Sequence, residues 1–219
     1  VASHYDLSEK LYDLFLDKTR QYSCAYFEKE DDSLTQAQLN KMNRLSDKLC
    51  LSKNDKVLDI GCGWGSLSRY MVDNYQCSIK GISLSEEQIK YCEVHKTNSK
   101  NKSKLEYSLQ DYRNENNIFN KIVSVGMFEH VGKPFYNTYF KKIYELLDHD
   151  GIAVVHTIGN LRTPKITAAF IRKYIFPGGY IPTLSEIMPA VEKSGLIVAD
   201  IEVLRLHYAK TLAHWYKNF

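Results

Sequence analysis

From residue 56 onward, short apolar runs alternate with longer stretches whose apolar residues recur at helical spacing. That alternation predicts strands at residues 56–60, 78–82, 105–109, 118–125, 151–156 and 196–204, with helices between them. Strand and helix in strict succession imply an α/β domain, a mostly parallel sheet covered on both faces. Ahead of the first strand, residues 3–16 and 33–49 read as two helices joined by residues 21–27. Ser85 followed by Gln88 has the spacing of a helix capping box, and Pro134 suits a first helical position. The polar run 96–104 reads as a solvated loop.

Length and composition keep this picture simple. A chain of 219 residues with 44% hydrophobic side chains supports one substantial core, so a single domain is expected, residues 1–52 forming a helical lid over a core of residues 53–219. A net charge of +3 is too mild to make nucleic acid the main partner. The five cysteines, Cys24, Cys50, Cys62, Cys77 and Cys92, are odd in number and lack metal-ligand spacing, which argues for no metal site, no disulfide framework and a cytoplasmic setting. No apolar run is long enough to span a bilayer. The chain starts at Val1 and stops at Phe219 inside an amphipathic stretch, so a trimmed catalytic domain is expected.

Chemistry concentrates where the predicted strands end. The first strand runs into Asp59 and then Gly61, Gly63 and Gly65 at alternate positions, a strand, tight turn and helix start against which a nucleotide-like ligand can lie. By itself this turn is also an ordinary feature of α/β domains. The second strand ends in Gly81-Ile82-Ser83-Leu84-Ser85, without the acid that holds a ribose in dinucleotide enzymes, which argues against NAD. The glycine spacing points instead to S-adenosylmethionine, whose methyl is already activated on a sulfonium. Glu129 follows the fourth strand and His156 closes the fifth. Each alone reads as a surface acid or a core histidine, but their common sheet edge brings a carboxylate and an imidazole to the glycine turn.

The chain resembles the cyclopropane fatty acid synthase and mycolic acid methyltransferase family through eight blocks in the family's order. They are HYDLS at 4–8, YSCAYF at 22–27, VLDIGCGWGSL at 57–67, GISLSEEQ at 81–88, MFEHVG at 127–132, HTIG at 156–159, KYIFPGGYIP at 173–182 and HYAKTLAHW at 207–215. The resemblance implies a Rossmann-like class I methyltransferase fold whose last edge strand is missing from this chain. It also implies transfer of a methyl from S-adenosylmethionine to a cis double bond of an unsaturated acyl chain, then proton loss to close a cyclopropane. By the same resemblance, bicarbonate is the base, held by Glu129, His156, Tyr208 and the backbone around Cys24 and Ile158. Cofactor contacts carry over to Tyr22, Ser23, Gly61, Gly63, Ser83, Leu84, Gln88 and Tyr112, beside Asp59 and Gly65 of the turn. Gln88 stands in for the absent ribose acid. Tyr112 stands where many relatives have tryptophan.

Aromatic side chains are abundant, and Tyr22, Tyr26, Phe128 and Tyr180 are candidates for an acyl tunnel in which ring faces stabilise positive charge. Phe170, Ile171, Tyr174, Ile175 and Phe176, interleaved with Lys165, Arg172 and Lys173, suit contact with lipid, or else a helix packed on its own core. Membrane phospholipids are thus the expected partner, with the protein peripheral to the inner face of the membrane and a homodimer one possible assembly. The rivals are a small-molecule N-methyltransferase, whose relatives share the pair corresponding to Glu129 and His130, an enzyme adding an acyl branch without ring closure, and a lipid-binding module that has lost catalysis.

Overall fold

Val57, Leu58 and Ile60 are buried on both sides of one strand, as a continuous apolar run requires when a sheet is covered on both faces. The computed structural model describes residues 9–164, 166–170, 173 and 178–219. In chain order its main elements are α1 (Glu9–Phe15), α2 (Leu34–Lys48), β1 (Lys56–Ile60), α3 (Ser66–Tyr75), β2 (Ser78–Ser83), α4 (Glu86–His95) and β3 (Leu105–Leu109). They continue with β4 (Phe119–Val125), α5 (Tyr136–Leu146), β5 (Leu147–His156), α6 (Leu184–Ser194) and α7 (Arg205–Asn218).

The five strands lie in the order β3-β2-β1-β4-β5, all parallel. From Lys56 opposite Ser78 to Ile60 opposite Ile82, β1 pairs with β2, and on its other side Val57 to Asp59 face Lys121 to Val123 of β4. The chain therefore winds outward from β1 to β3, then crosses back to β4. The reversal opens a crevice beyond the carboxyl ends of β1 and β4, the place where such sheets bind ligands. This strand order is that of a doubly wound, Rossmann-like sheet.

Apolar clusters fill both faces. One joins Met42 and Leu45 of α2 and Leu49 at its carboxyl cap to Leu67, Met71 and Val72 and to the sheet. The other joins Tyr139, Phe140 and Ile143 of α5 and Val191 of α6 to Leu58 and Ile122. Each such side chain contributes about 1.5–3 kcal/mol by leaving water. A third, aromatic cluster ties α1 and α7 together through Tyr12, Phe27, Trp64 and Trp215.

Local chemistry sets the helix starts. Ser33 Oγ accepts the Gln36 N–H at 3.2 Å and Ser85 Oγ that of Gln88 at 3.3 Å. At the head of α6, Thr183 and Glu186 form a reciprocal capping box. At Ser85 the expected box takes another form, because the Gln88 amide oxygen accepts from Ser83 Oγ at 2.8 Å. Pro134 sits in a short 3-10 turn, Lys133–Phe135, leading into α5. Residues 96–104 carry two further 3-10 turns.

The predicted strand at 196–204 is not formed. The run is apolar enough, but a strand exists only within a ladder, and no described strand pairs with it. Ile197 is 92% exposed, and the segment is held from its polar side, Glu202 and Asp200 binding Arg44 and Lys48 of α2. β5 begins earlier than expected, at Leu147, through an irregular register against Phe119 and Lys121. The expected helical residues 3–8 and, from the lipid-facing run, Lys165, Ile171, Arg172, Tyr174, Ile175 and Phe176 lie outside the described residues. Among the described residues, no helix is long and apolar enough to cross a membrane.

Candidate active site

The turn after β1 is pinned to β2 by two donors, the N–H groups of Gly61 and Cys62, both reaching the Ile82 carbonyl, at 2.9 and 3.1 Å. Beneath it, buried Asp59 accepts Ser68 Oγ–H at 2.6 Å, and desolvation pushes its carboxyl up to about 6. Gly63 has φ +54°, and a Cβ there would meet nothing within 4 Å. Its main chain therefore borders open space, a cleft of about 400 Å³.

Asp59, Gly61 and Gly63 line this cleft, as do Ser83, Leu84, Gln88 and Tyr112 around its rim and Tyr22 and Ser23 over it. Gly65 is the exception among the expected cofactor contacts. It packs away from the cleft, where a Cβ would come within 2.7 Å of Cys92 Sγ and 2.8 Å of the Tyr107 hydroxyl. Gln110 and Asp111, just beyond β3, also line the cleft, as do Arg20, Met127 and His130. The strand-end rule that singled out Glu129 also applies to Gln110 and Asp111 and would have found them. Nothing in the sequence pattern marks Arg20, whose guanidinium lies 4.5 Å over the Tyr91 ring and binds Asp13.

A second, much smaller pocket of about 20 Å³ lies behind the first. Glu129, His156, Tyr208, Cys24 and Ile158 line it together, although they come from four separate parts of the chain. Tyr22, Ser23 and Gly126 line both pockets and form the wall between them. The Ile158 N–H donates to Glu129 Oε1 at 2.6 Å, so this backbone donor is spent on the carboxylate. Among the described residues, Glu129 Oε2 and His156 Nδ1 are buried without a hydrogen-bond partner.

Burial governs the protonation of these groups. It raises the Glu129 carboxyl, against the pull of the Ile158 N–H, and lowers the His156 imidazole to about 4, with Lys41 adding to the effect. The imidazole is therefore neutral at pH 7. The Cys24 thiol is pushed up to about 11 and the Tyr208 hydroxyl is raised, so both stay protonated and Cys24 is no thiolate nucleophile. A neutral histidine, a protonated tyrosine and a carboxylate oxygen with an open lone pair suit a small polar guest.

Three of the four aromatic tunnel candidates have other occupations. Phe128 is fully buried among Tyr136, Tyr139 and Phe140, Tyr26 stacks on His207 beneath Arg44, and the Tyr180 hydroxyl binds Glu186. Tyr22 alone of the four lines the pockets. Gln38 and Lys41 of α2, missed in the sequence, are buried below Tyr22 and Ser23. Their signal was present: two polar residues on the stripe that carries Leu34, Ala37, Met42 and Leu45.

The chain is similar to known proteins along its whole length. The family model described as mycolic acid cyclopropane synthetase matches residues 1–219. The chain is 42% identical to cyclopropane-fatty-acyl-phospholipid synthase of Escherichia coli (strain K12), over 99% of this chain and 55% of that protein. It is 40% identical to a probable fatty acid methyltransferase of Pseudomonas putida, over 100% of this chain and 57% of that one. The chain thus spans about half the length of these relatives. Among solved structures, the cyclopropane synthase MmaA2 from Mycobacterium tuberculosis superposes with a TM-score of 0.94 at 33% identity, covering 100% of this chain and 81% of that one. The mycolic acid cyclopropane synthase CmaA1 complexed with SAH and CTAB gives 0.92 at 34% identity with the same coverage. The chain belongs to the mycolic acid cyclopropane synthetase family of S-adenosylmethionine-dependent methyltransferases.

Proposed function

We propose that this chain carries the catalytic site of a cyclopropane-fatty-acyl-phospholipid synthase, acting on the cis double bond of an unsaturated acyl chain, with S-adenosylmethionine in the large cleft and bicarbonate in the small pocket. The observation that carries the reading is the pair of partnerless buried atoms, Glu129 Oε2 and His156 Nδ1, one wall away from a glycine-lined cleft. An acceptor and a neutral imidazole left open inside the protein are costly unless a guest pairs with them.

The residues fit the two groups. S-adenosylmethionine supplies an electrophilic methyl, which the alkene attacks to leave a carbocation on the acyl chain. Loss of a proton from the added methyl lets its C–H electrons close the ring. Bicarbonate supplies the base for that proton. Glu129, Tyr208 and His156 would hold this anion, the Glu129 carboxylate as an acceptor and the tyrosine hydroxyl and imidazole as donors. Gly61 and Gly63 let the cofactor lie on the main chain, and Gln88 and Tyr112 border it. The Tyr22 ring, on the shared wall, stands where it can face a developing cation. Arg20, Gln21, Tyr22 and Ser23, from the region expected to form a lid, line the cleft.

The acyl chain implies contact with a phospholipid surface. Leu161, Ile166 and Phe170 are exposed, and Arg162 follows the first of them in sequence, in keeping with a peripheral membrane protein. A branch-forming acyl methyltransferase is the second reading, favoured by the similarity to the Pseudomonas putida protein. Incubation with methyl-labelled S-adenosylmethionine and unsaturated phospholipid vesicles, followed by NMR of the extracted acyl chains, tests the assignment. Labelled ring protons are expected. A labelled branch selects the second reading, and cofactor binding with no lipid label overturns both.

A further inference from the structure

Lys41 has 1% of its surface exposed, and its ammonium bonds to two neutral oxygens, Gln21 Oε1 at 2.6 Å and Ser23 Oγ at 2.7 Å. No carboxylate among the described residues forms an ion pair with it. A buried cation held only by neutral acceptors is expensive, and folds tolerate one where its charge is used. Around it, Gln38 of the same helix donates to the carbonyls of Gln21 and Ser23, at 3.3 and 3.0 Å, and Gln21 Nε2 donates to Ser66 Oγ at 2.5 Å. The segment that walls both pockets is thus fastened from below by α2 and α3.

The charge reaches further than the bonds. Asp17, whose carboxylate accepts the Gln21 N–H, favours the ammonium, and Cys24 and His156, which line the small pocket, both feel its charge. The described residues lining that pocket include no lysine or arginine. Because Ser23 Oγ accepts from Lys41, its own proton is directed elsewhere, and Ser23 borders the pocket.

We propose that Lys41 is a positioning residue for the small pocket, fixing Ser23 as a donor towards it and placing a positive charge behind the wall on which an anion binds. This rests on the reading of that pocket as a bicarbonate site. Burial lowers the Lys41 amine to about 7 in the free protein. An anion next to it favours the ammonium, so anion binding and lysine protonation support each other.

The test measures ¹³C-bicarbonate binding by NMR to protein saturated with S-adenosylhomocysteine, for wild type, Lys41→Gln, Lys41→Met and, as a surface control on the same helix, Lys48→Met. Removing the charge should weaken bicarbonate binding roughly tenfold or more while S-adenosylhomocysteine affinity and melting temperature stay within about threefold and a few degrees. Lys48→Met should match wild type. A Lys41 variant that binds bicarbonate as wild type does overturns the proposal, and so does one that loses both ligands equally, since a mere brace of the wall would act on both. Absence of bicarbonate binding in wild type instead refutes the anion site itself. Lysine ¹⁵N spectra of the wild type need no variant: bicarbonate should move the Lys41 signal towards the ammonium position, and a signal that does not respond refutes the coupling.

Discussion

Replacing Gly63 and Gly65 by alanine, one at a time, separates ligand contact from packing within a single turn. Both residues sit at positive φ, +54° and +71°, so either alanine carries a backbone cost of about 1 kcal/mol. For a chain of this size that is about 2–4 °C in melting temperature. The added methyl then meets different surroundings. At Gly63 it enters the cleft and touches no protein atom, so the whole stability loss is the backbone cost. At Gly65 it would lie 2.7 Å from Cys92 Sγ and 2.8 Å from the Tyr107 hydroxyl, groups buried in the first core cluster. Overpacking of that kind adds about 1–3 kcal/mol, for a total drop of roughly 5–15 °C.

Ligand affinity should rank the other way. If the cofactor lies against the Gly63 main chain, the methyl displaces it, at a cost of the same order as overpacking, roughly 5- to 150-fold in Kd. Calorimetric titration with S-adenosylhomocysteine and thermal melts of the two variants provide both numbers. Gly63→Ala should melt near wild type and bind weakly. Gly65→Ala, measured well below its melting point, should bind within about threefold of wild type. A Gly63→Ala protein with unchanged affinity would show that the ligand does not rest on this turn, and the placement of the cofactor in the cleft would have to be abandoned.

Glu129→Gln keeps the carbonyl that accepts from Ile158 but turns the open oxygen into a donor, so turnover should fall at least about tenfold with S-adenosylhomocysteine affinity retained; full activity would remove the carboxylate from the mechanism. Asp59→Asn should be more stable than wild type at pH 7.5. The folded state holds the Asp59 proton up to about 6, against about 3.9 unfolded, so the wild type loses stability as pH rises through that window, by up to the order of 3 kcal/mol. Urea melts at pH 4 and 7.5 should show the advantage of the variant growing with pH, and a constant difference would contradict the burial argument. Thr211→Val removes the acceptor for the Ala25 N–H, bonded at 3.0 Å, and should cost about 1–3 kcal/mol. Loss of S-adenosylhomocysteine affinity larger than loss of stability would show that α7 also sets the wall of the cleft.

The interior of the sheet was legible because it follows from period and flanking turns. β1 to β4 are continuous or alternating apolar runs closed by glycine or polar residues, and their ends mark the ligand crevice without further information. The run at 196–204 has the same signature and forms no strand, because pairing is a property of the partner as well as of the strand. The small pocket was legible in part from strand ends and otherwise only through resemblance. Glu129 and His156 stand at strand ends, but Tyr208 and Cys24 lie on elements whose approach to β4 and β5 depends on the aromatic packing of α1 and α7. Gln38 and Lys41 show the opposite case, a local signal that was plain in the helix pattern and needed the fold to give it meaning.

The wall made by Tyr22, Ser23 and Gly126 gives the two pockets a common mechanical fate. In the proposed reaction a methyl donor and a base would serve the same carbon atom in succession, so their sites would have to keep a fixed distance and angle, since small misplacements cost rate steeply. One fastened segment between them achieves this more simply than two independent sites. Gln38, which holds the wall from below through the Gln21 and Ser23 carbonyls, should then affect both binding events when its size changes, whereas Glu129 and His156, beyond the wall, should affect only the proton-removing half. The charge of Lys41 separates the two, because behind one shared wall it would attract the proposed bicarbonate anion and offer nothing to a sulfonium cation.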